Sequence, residues 1–226
     1  MSSETQTVRV LVTGFSVFPG APANPTAWVV EQLQREKWQP KQARLVTQTL
    51  PVRFDLWERE MEPLLETVRP DVAIAFGLSA KATGITLESK AHNVVATDRP
   101  DFTGACAAGA CVLENGKDHY ATALPLREIE IALKAALIPV SPSDSAGDYL
   151  CNLTFYRLMT LAAKGGPAFA GFIHVPYLDT QVAKLAAGGQ HVPHASTLTE
   201  AQLLKAVKLI VEICVATAQR TSKVVA

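Results

Sequence analysis

Val8-Arg9-Val10-Leu11-Val12-Thr13-Gly14-Phe15 is the stretch whose reading decides the fold. It is a short β-rich run, and Asn24 and Pro25 follow it as a natural N-cap and a proline at the first helical position of Pro25 to Glu36. The order is strand, loop, helix. Working outward, Arg44 to Val52 reads as a second strand, Leu56 to Val68 as a helix with Asp55 and Glu58 at capping-box spacing, and Asp71 to Leu78 as a buried strand. Ile85 to Val95 is an extended run that is polar on one side. Thr97 to His119, rich in Gly and Ala, carries no assignable element. Leu126 to Leu137 then reads as helix, Ile138 to Val140 as a short strand, Asn152 to Lys164 as helix and Ala168 to Val175 as strand. A last long helix runs from about Thr199 to Gln219, with Thr197 and Glu200 at capping-box spacing.

This alternation predicts an α/β domain with a largely parallel sheet covered by helices on both faces. In such sheets the functional crevice lies beyond the carboxyl ends of the strands. Phe15, Gly77, Ser141 to Cys151 and His174 to Tyr177 all fall near predicted strand ends, so the site is expected there.

The chain has 226 residues, 48% of them hydrophobic, with 21 basic and 21 acidic side chains. One compact domain spanning 1–226 with a sizeable core accommodates this composition. A net charge near zero without any Lys/Arg block gives no footprint for nucleic acid or an anionic membrane. Met1 to Thr7 is polar, and no apolar window is long enough for a membrane span, so a cytoplasmic location is expected. Cys106, Cys111, Cys151 and Cys214 form neither a CxxC pair nor a dense framework. Reduced thiols are the expected state, a Cys106–Cys111 bridge being the alternative.

Cys151 stands between an extended stretch and a helix, where a backbone N-terminus favours a thiolate. His174 lies inside the apolar run Ala168 to Pro176 and Glu88 inside Ile85 to Val95. These are polar groups that core strands do not usually carry, and they supply a base and its orienter. Together the three read as a cysteine hydrolase. Taken singly they have plainer readings: a buried cysteine filler, a hydrogen-bonded core histidine, a carboxylate at a sheet edge. Cys106 and Cys111 lack a following helix and a nearby base. His191 and His194 have a spacing that suits a metal, but without a third ligand they read as loop residues. Lys81, Lys90 and Arg99 read as solvated cations, and Gly14 to Gly20 lacks the spacing of a phosphate loop.

Val12-Thr13-Gly14-Phe15 with Phe18, Gly20, Asn24 and Pro25 resembles the opening signature of pyroglutamyl peptidase I. Ile85 to Glu88 with Asn93, Tyr149 to Asn152 with Phe155 and Tyr156, and Gly171 to Tyr177 with Gln181 resemble that family's glutamate, cysteine and histidine segments. Four such segments in the right order cover most of the chain. The resemblance implies a cytoplasmic cysteine peptidase that removes N-terminal pyroglutamyl residues, and a three-layer α/β/α sandwich with a mixed, largely parallel sheet. It also implies no metal or organic cofactor, and a homotetramer or homodimer.

By the same resemblance Cys151 is the nucleophile, His174 its base and Glu88 the orienter. Phe15 and Phe18 wall the substrate ring, Asn24 supports their loop, and main-chain groups near Gly77 and Leu78 meet the lactam. The backbone N–H of Cys151 is the candidate oxyanion donor. The chain departs from the family at Pro19, Leu78, Ser89 and Asp98. Asp98 takes the place of an arginine, which leaves Arg99 as the nearest cation for an oxyanion or anion contact. The alternative reading is a repurposed or inactive relative with a binding or small-amide hydrolase role, which a fluorogenic pyroglutamyl amide separates from the peptidase.

Overall fold

The computed structural model describes residues 7–18, 21, 23–190 and 196–225. Its main sheet has six strands in the order β2-β1-β3-β8-β4-β7: β1 Val8–Phe15, β2 Ala43–Leu50, β3 Val72–Leu78, β4 Ile85–Glu88, β7 Val140–Ser143 and β8 Phe169–Val175. The strands β2, β1, β3 and β8 are parallel. Strand β4 runs antiparallel to β8, and β7 follows β4. A two-stranded ribbon pairs β5 Lys90–His92 with β6 His119–Ala121. The sheet is mixed and largely parallel, and helices cover both of its faces.

The central strands are near-continuous apolar runs because both faces are covered. One apolar cluster joins Val10, Val12, Ile74, Phe76 and Ile173 to α1 Pro25–Arg35, α3 Leu126–Ala135 and α6 Glu200–Val225. The other joins Leu11, Phe15, Ala73, Ala75 and Phe172 to α2 Glu62–Val68 and α4 Leu150–Ala162. Helix α1 begins as the sequence predicts: the Asn24 side chain accepts from the Thr26 N–H, with Pro25 in the first turn. Its first turn presses on β1 at Gly14, where a Cβ would stand 2.5 Å from the Thr26 carbonyl oxygen.

Several expected boundaries move, each for a local reason. The Asp55–Glu58 capping box is not formed. A π-helical turn, Trp57–Met61, precedes α2 without a side-chain cap; Asp55 pairs with Arg53 and Arg59, and Glu58 with Arg157. The box expected at Thr197 and Glu200 stands instead at Thr199 and Gln202, where the Gln202 N–H donates to Thr199 Oγ1 at 3.1 Å and the Thr199 N–H to Gln202 Oε1 at 3.0 Å. Ile85 to Val95 is not one strand. It breaks at Ser89, whose N–H donates to Ser143 and whose carbonyl accepts from Thr122, so that β4 and β5 join different sheets.

The strand expected over Ile138 to Val140 begins only at Val140. Helix α3 ends in a Schellman motif, Ile138 N–H to Leu133 and Leu137 N–H to Lys134, with Leu137 at φ 58°, and this consumes the residues before it. Because β7 runs against β3 and β8, its carboxyl end faces away from theirs, and the turn through Asp144 to Tyr149 brings the chain back. Strand β6 and helix α5 Asp179–Ala187 carry too little pattern to be predicted: the first has three residues, and the second buries none.

Candidate active site

Gly77 of β3 pairs with His174 of β8, and Cys151 sits above that pair in the first turn of α4. The position a Cβ would occupy at Gly77 is 2.6 Å from Phe172 Cζ and 3.0 Å from Cys151 Sγ. Glycine at 77 therefore makes room for the sulfur. The first N–H groups of α4 have no intrahelical acceptor, so the helix presents donors beside the thiol. Asn152 fixes the start of this helix: it accepts from the His92 N–H at 3.0 Å and donates to the His92 and Val94 carbonyls, each at 2.8 Å. The sequence reading gave Asn152 no role of its own.

Thr86 of β4 lies opposite His174, so Glu88, two residues on, reaches His174 diagonally on the same face of the sheet. His174 Nδ1 lies 2.7 Å from Glu88 Oε1, with both side chains buried. Cys151 is close enough to act on the ring electrostatically. The other carboxylate oxygen, Glu88 Oε2, is buried and has no hydrogen-bond partner among the described residues. Burial opposes charge on the ring, but its interaction with Cys151, then that with Glu88, outweighs it and pushes His174 up to about 9. His174 thus interacts with both Cys151 and Glu88.

Around them, Phe15 is buried and packs on Phe172 at 6.4 Å between ring centroids, and Phe18 is half-buried. Asn24 donates to the Ser16 carbonyl at 3.1 Å, so it holds the Phe15 to Phe18 turn as well as capping α1. Leu78 is half-buried at the end of β3. Tyr149, just before α4, packs edge-on to Phe54 and donates to the Pro100 carbonyl at 2.8 Å. Arg99 lies over the Tyr149 ring and pairs with Asp148, and Asp98 is exposed. The anion that the sequence sets at position 98 therefore faces solvent.

A profile of the pyroglutamyl peptidase family matches residues 8–217. The chain belongs to the pyroglutamyl peptidase family. It is 35% identical over 207 residues to the pyrrolidone-carboxylate peptidase of Pyrococcus furiosus, a match covering 91% of this chain and 97% of that one. It is 37% identical over 175 residues to pyrrolidone-carboxylate peptidase 1 of Ralstonia nicotianae, covering 77% and 80%. The solved structure of the Pyrococcus furiosus pyrrolidone carboxyl peptidase superposes with a TM-score of 0.83 at 32% identity, over 92% of this chain and 99% of that one. The chain is accordingly a cysteine peptidase of this family and has its three-layer α/β/α fold.

Other sequence candidates lie apart from this centre. Cys106 and Cys111 are exposed free thiols, Cys214 is buried, and Lys81 and Lys90 are exposed. His191 and His194, like Pro19 and Gly20, lie outside the described residues. Among the described residues no group of three His, Cys, Asp or Glu is placed to hold a metal, and no helix is long and apolar enough to cross a membrane. A cavity of about 470 Å³ lined by Arg9, Trp57, Glu66 and Asp71 opens at the amino ends of β1 and β3, away from Cys151. It holds none of Cys151, His174 and Glu88.

Proposed function

We propose that the chain acts as one catalytic unit over 1–226, in which Cys151 is the nucleophile, His174 the proton carrier and Glu88 the orienter, cleaving N-terminal pyroglutamyl residues from peptides. The observation that carries this is the contact of His174 with Glu88 at 2.7 Å through Nδ1, together with the electrostatic action of Cys151 on the same ring. Glu88 fixes the tautomer and stabilises the cationic ring. The Cys151 thiolate attacks the carbonyl carbon of the scissile amide, and electrons move to the carbonyl oxygen. The N–H of Cys151 at the start of α4 is the donor nearest to that developing charge.

Collapse of this intermediate breaks the C–N bond, and the imidazolium gives its proton to the departing amine. A thioester to Cys151 remains. Water then attacks it as the neutral ring takes a proton, and pyroglutamate leaves as the thiolate is restored. Phe15 and Phe18 supply flat walls for the uncharged lactam, Asn24 holds their turn, and the main chain at Gly77 and Leu78 offers hydrogen bonds to the ring. With only main-chain atoms used at position 78, leucine preserves the contact. Arg99 stays near the site by stacking on Tyr149, as a contact for an anionic group.

The reading further takes the protein to be cytoplasmic and to work as a homodimer or homotetramer without a cofactor. The test is release of a fluorophore from a pyroglutamyl amide. The purified protein is expected to turn it over, and Cys151→Ala to lose that activity while keeping the circular dichroism of the parent; turnover unchanged in Cys151→Ala overturns the assignment.

A further inference from the structure

Cys106 and Cys111 stand in the run Gly104-Ala105-Cys106-Ala107-Ala108-Gly109-Ala110-Cys111, and the peptidase chemistry uses neither. Both thiols are free and exposed, and both line one cavity of about 380 Å³ whose wall includes Phe54, Leu153 and Arg157. Only Ala, Ala, Gly and Ala separate them. A Cβ at Gly109 would meet nothing within 4 Å, so open space lies beside this part of the loop. Cys214 is no competitor in exchange, since burial pushes its thiol up to about 12.

The loop is fastened at both ends to the residues that lead into Cys151. On one side the Tyr149 hydroxyl donates to the Pro100 carbonyl, and Arg99 pairs with Asp148. Asp101 receives the Phe54 N–H at 2.8 Å and the Ala105 N–H at 3.1 Å, next to Cys106. On the other side Ala110, next to Cys111, accepts from the Val95 N–H at 2.9 Å, and the adjacent Ala96 N–H donates to the Asp148 carbonyl at 2.7 Å. Either cysteine is therefore linked through a short chain of hydrogen bonds to Asp148 and Tyr149. Burial raises the Tyr149 phenol, with Asp101 as the next cause, and Cys151 and Cys106 both bear on it electrostatically.

We propose that Cys106 and Cys111 are a modification site, a thiol pair that closes to a disulfide by exchange with a low-molecular-weight disulfide and thereby displaces Asp148 and Tyr149 ahead of Cys151. One thiolate attacks a sulfur of the small disulfide, forming a mixed disulfide and releasing one small thiolate. The second protein thiolate attacks the protein sulfur of that mixed disulfide and releases the other. Two protein thiols are oxidised, their two protons leave, and one small disulfide is reduced to two thiols. Closure requires the two Cα atoms to stand about 4.4–6.8 Å apart, a constraint that bears on Ala110 and its hydrogen bond with Val95.

The chemistry of the pair stands apart from the proposed function, and only its effect on turnover rests on that reading. Cys151→Ala protein exposed to oxidised glutathione is expected to lose the mass of two hydrogens, with a peptide cross-linked between Cys106 and Cys111; stable glutathione adducts without that cross-link overturn the site. At a fixed ratio of oxidised to reduced glutathione, a mixed disulfide on Cys151 stays constant as total glutathione is diluted, whereas an intramolecular disulfide grows. On dilution kcat/KM of the wild type, and the rate at which iodoacetamide alkylates Cys151, are expected to fall about fivefold. The Cys106→Ser/Cys111→Ser protein is expected to stay level. The alkylation rate reads the coupling even in the absence of turnover, and flat curves for both proteins overturn it.

Discussion

His174 is held as a cation in a place that burial alone would keep neutral. Its raised value, about 9, depends on negative charge on both sides, Cys151 first and Glu88 second. Cys151→Ala is therefore expected to lower the His174 pKa, read from the ring proton shifts in an NMR titration; an unmoved midpoint would show that the two groups are not coupled. Glu88→Gln keeps the shape and removes the charge that steadies the imidazolium. Activity on a pyroglutamyl amide is expected to fall by about 10² to 10⁴, and the alkaline limb of the pH–rate profile to lie at lower pH than in the wild type, since Glu88 is one of the groups that raise His174. At this scale the sequence was legible where a polar group interrupts an apolar run, as Glu88 and His174 do. Asn152 was not, because its worth lies in clasping His92 and Val94, some 60 residues away in the chain, and nothing local to position 152 announces it.

Among the elements, β3 and α4 meet most closely at Gly77. Gly77→Ala drives a methyl group against Phe172 Cζ and Cys151 Sγ, at 2.6 Å and 3.0 Å before relaxation. The expected cost is about 1–3 kcal/mol in a urea melt, with a loss of kcat from displacement of the sulfur; a variant with wild-type kcat would show that the packing relaxes elsewhere. The end of α3 offers the opposite case. Leu137 is 85% exposed and takes the left-handed conformation of the Schellman motif, which suits glycine. Leu137→Gly is expected to raise stability, measured as an upward shift of the urea midpoint, because relief of left-handed strain, about 1–2 kcal/mol, exceeds the entropic cost of glycine, about 0.5–1 kcal/mol. That motif also shows why element boundaries were less legible than the elements. Hydrophobic period revealed α3 but misplaced the strand after it, because the turn between them is set by backbone hydrogen bonds from Leu137 and Ile138 that a leucine and an isoleucine do not signal. The helix cap at Asn24, in contrast, was legible because the side chain that closes it stands at the helix start. Where two hydroxyls compete, as Thr197 and Thr199 do, sequence spacing alone chose the wrong one.

For the whole molecule, the sheet binds two apolar layers together, and His174 sits beside Glu88 inside it with a raised affinity for its proton that folding creates through Cys151 and Glu88. The pair therefore couples global stability to pH. The ring's ordinary value is 6.5 and its folded value about 9, so below about 6.5 the folded and unfolded chains both hold the proton and the stabilisation is fully present. Between these values the folded chain holds a proton that the unfolded chain has released, so unfolding free energy falls as pH rises and the contribution is lost through about 9. Urea midpoints of the wild type are accordingly expected to decline between pH 6.5 and pH 9. His174→Gln removes the titrating ring, and its midpoints are expected to start lower at pH 6.5 and vary less across that window. Parallel decline in both proteins would assign the pH dependence to other groups and leave the buried pair without a global role, whereas convergence of the two curves at alkaline pH would identify the proton held by His174 as the link between the reaction centre and the stability of the fold.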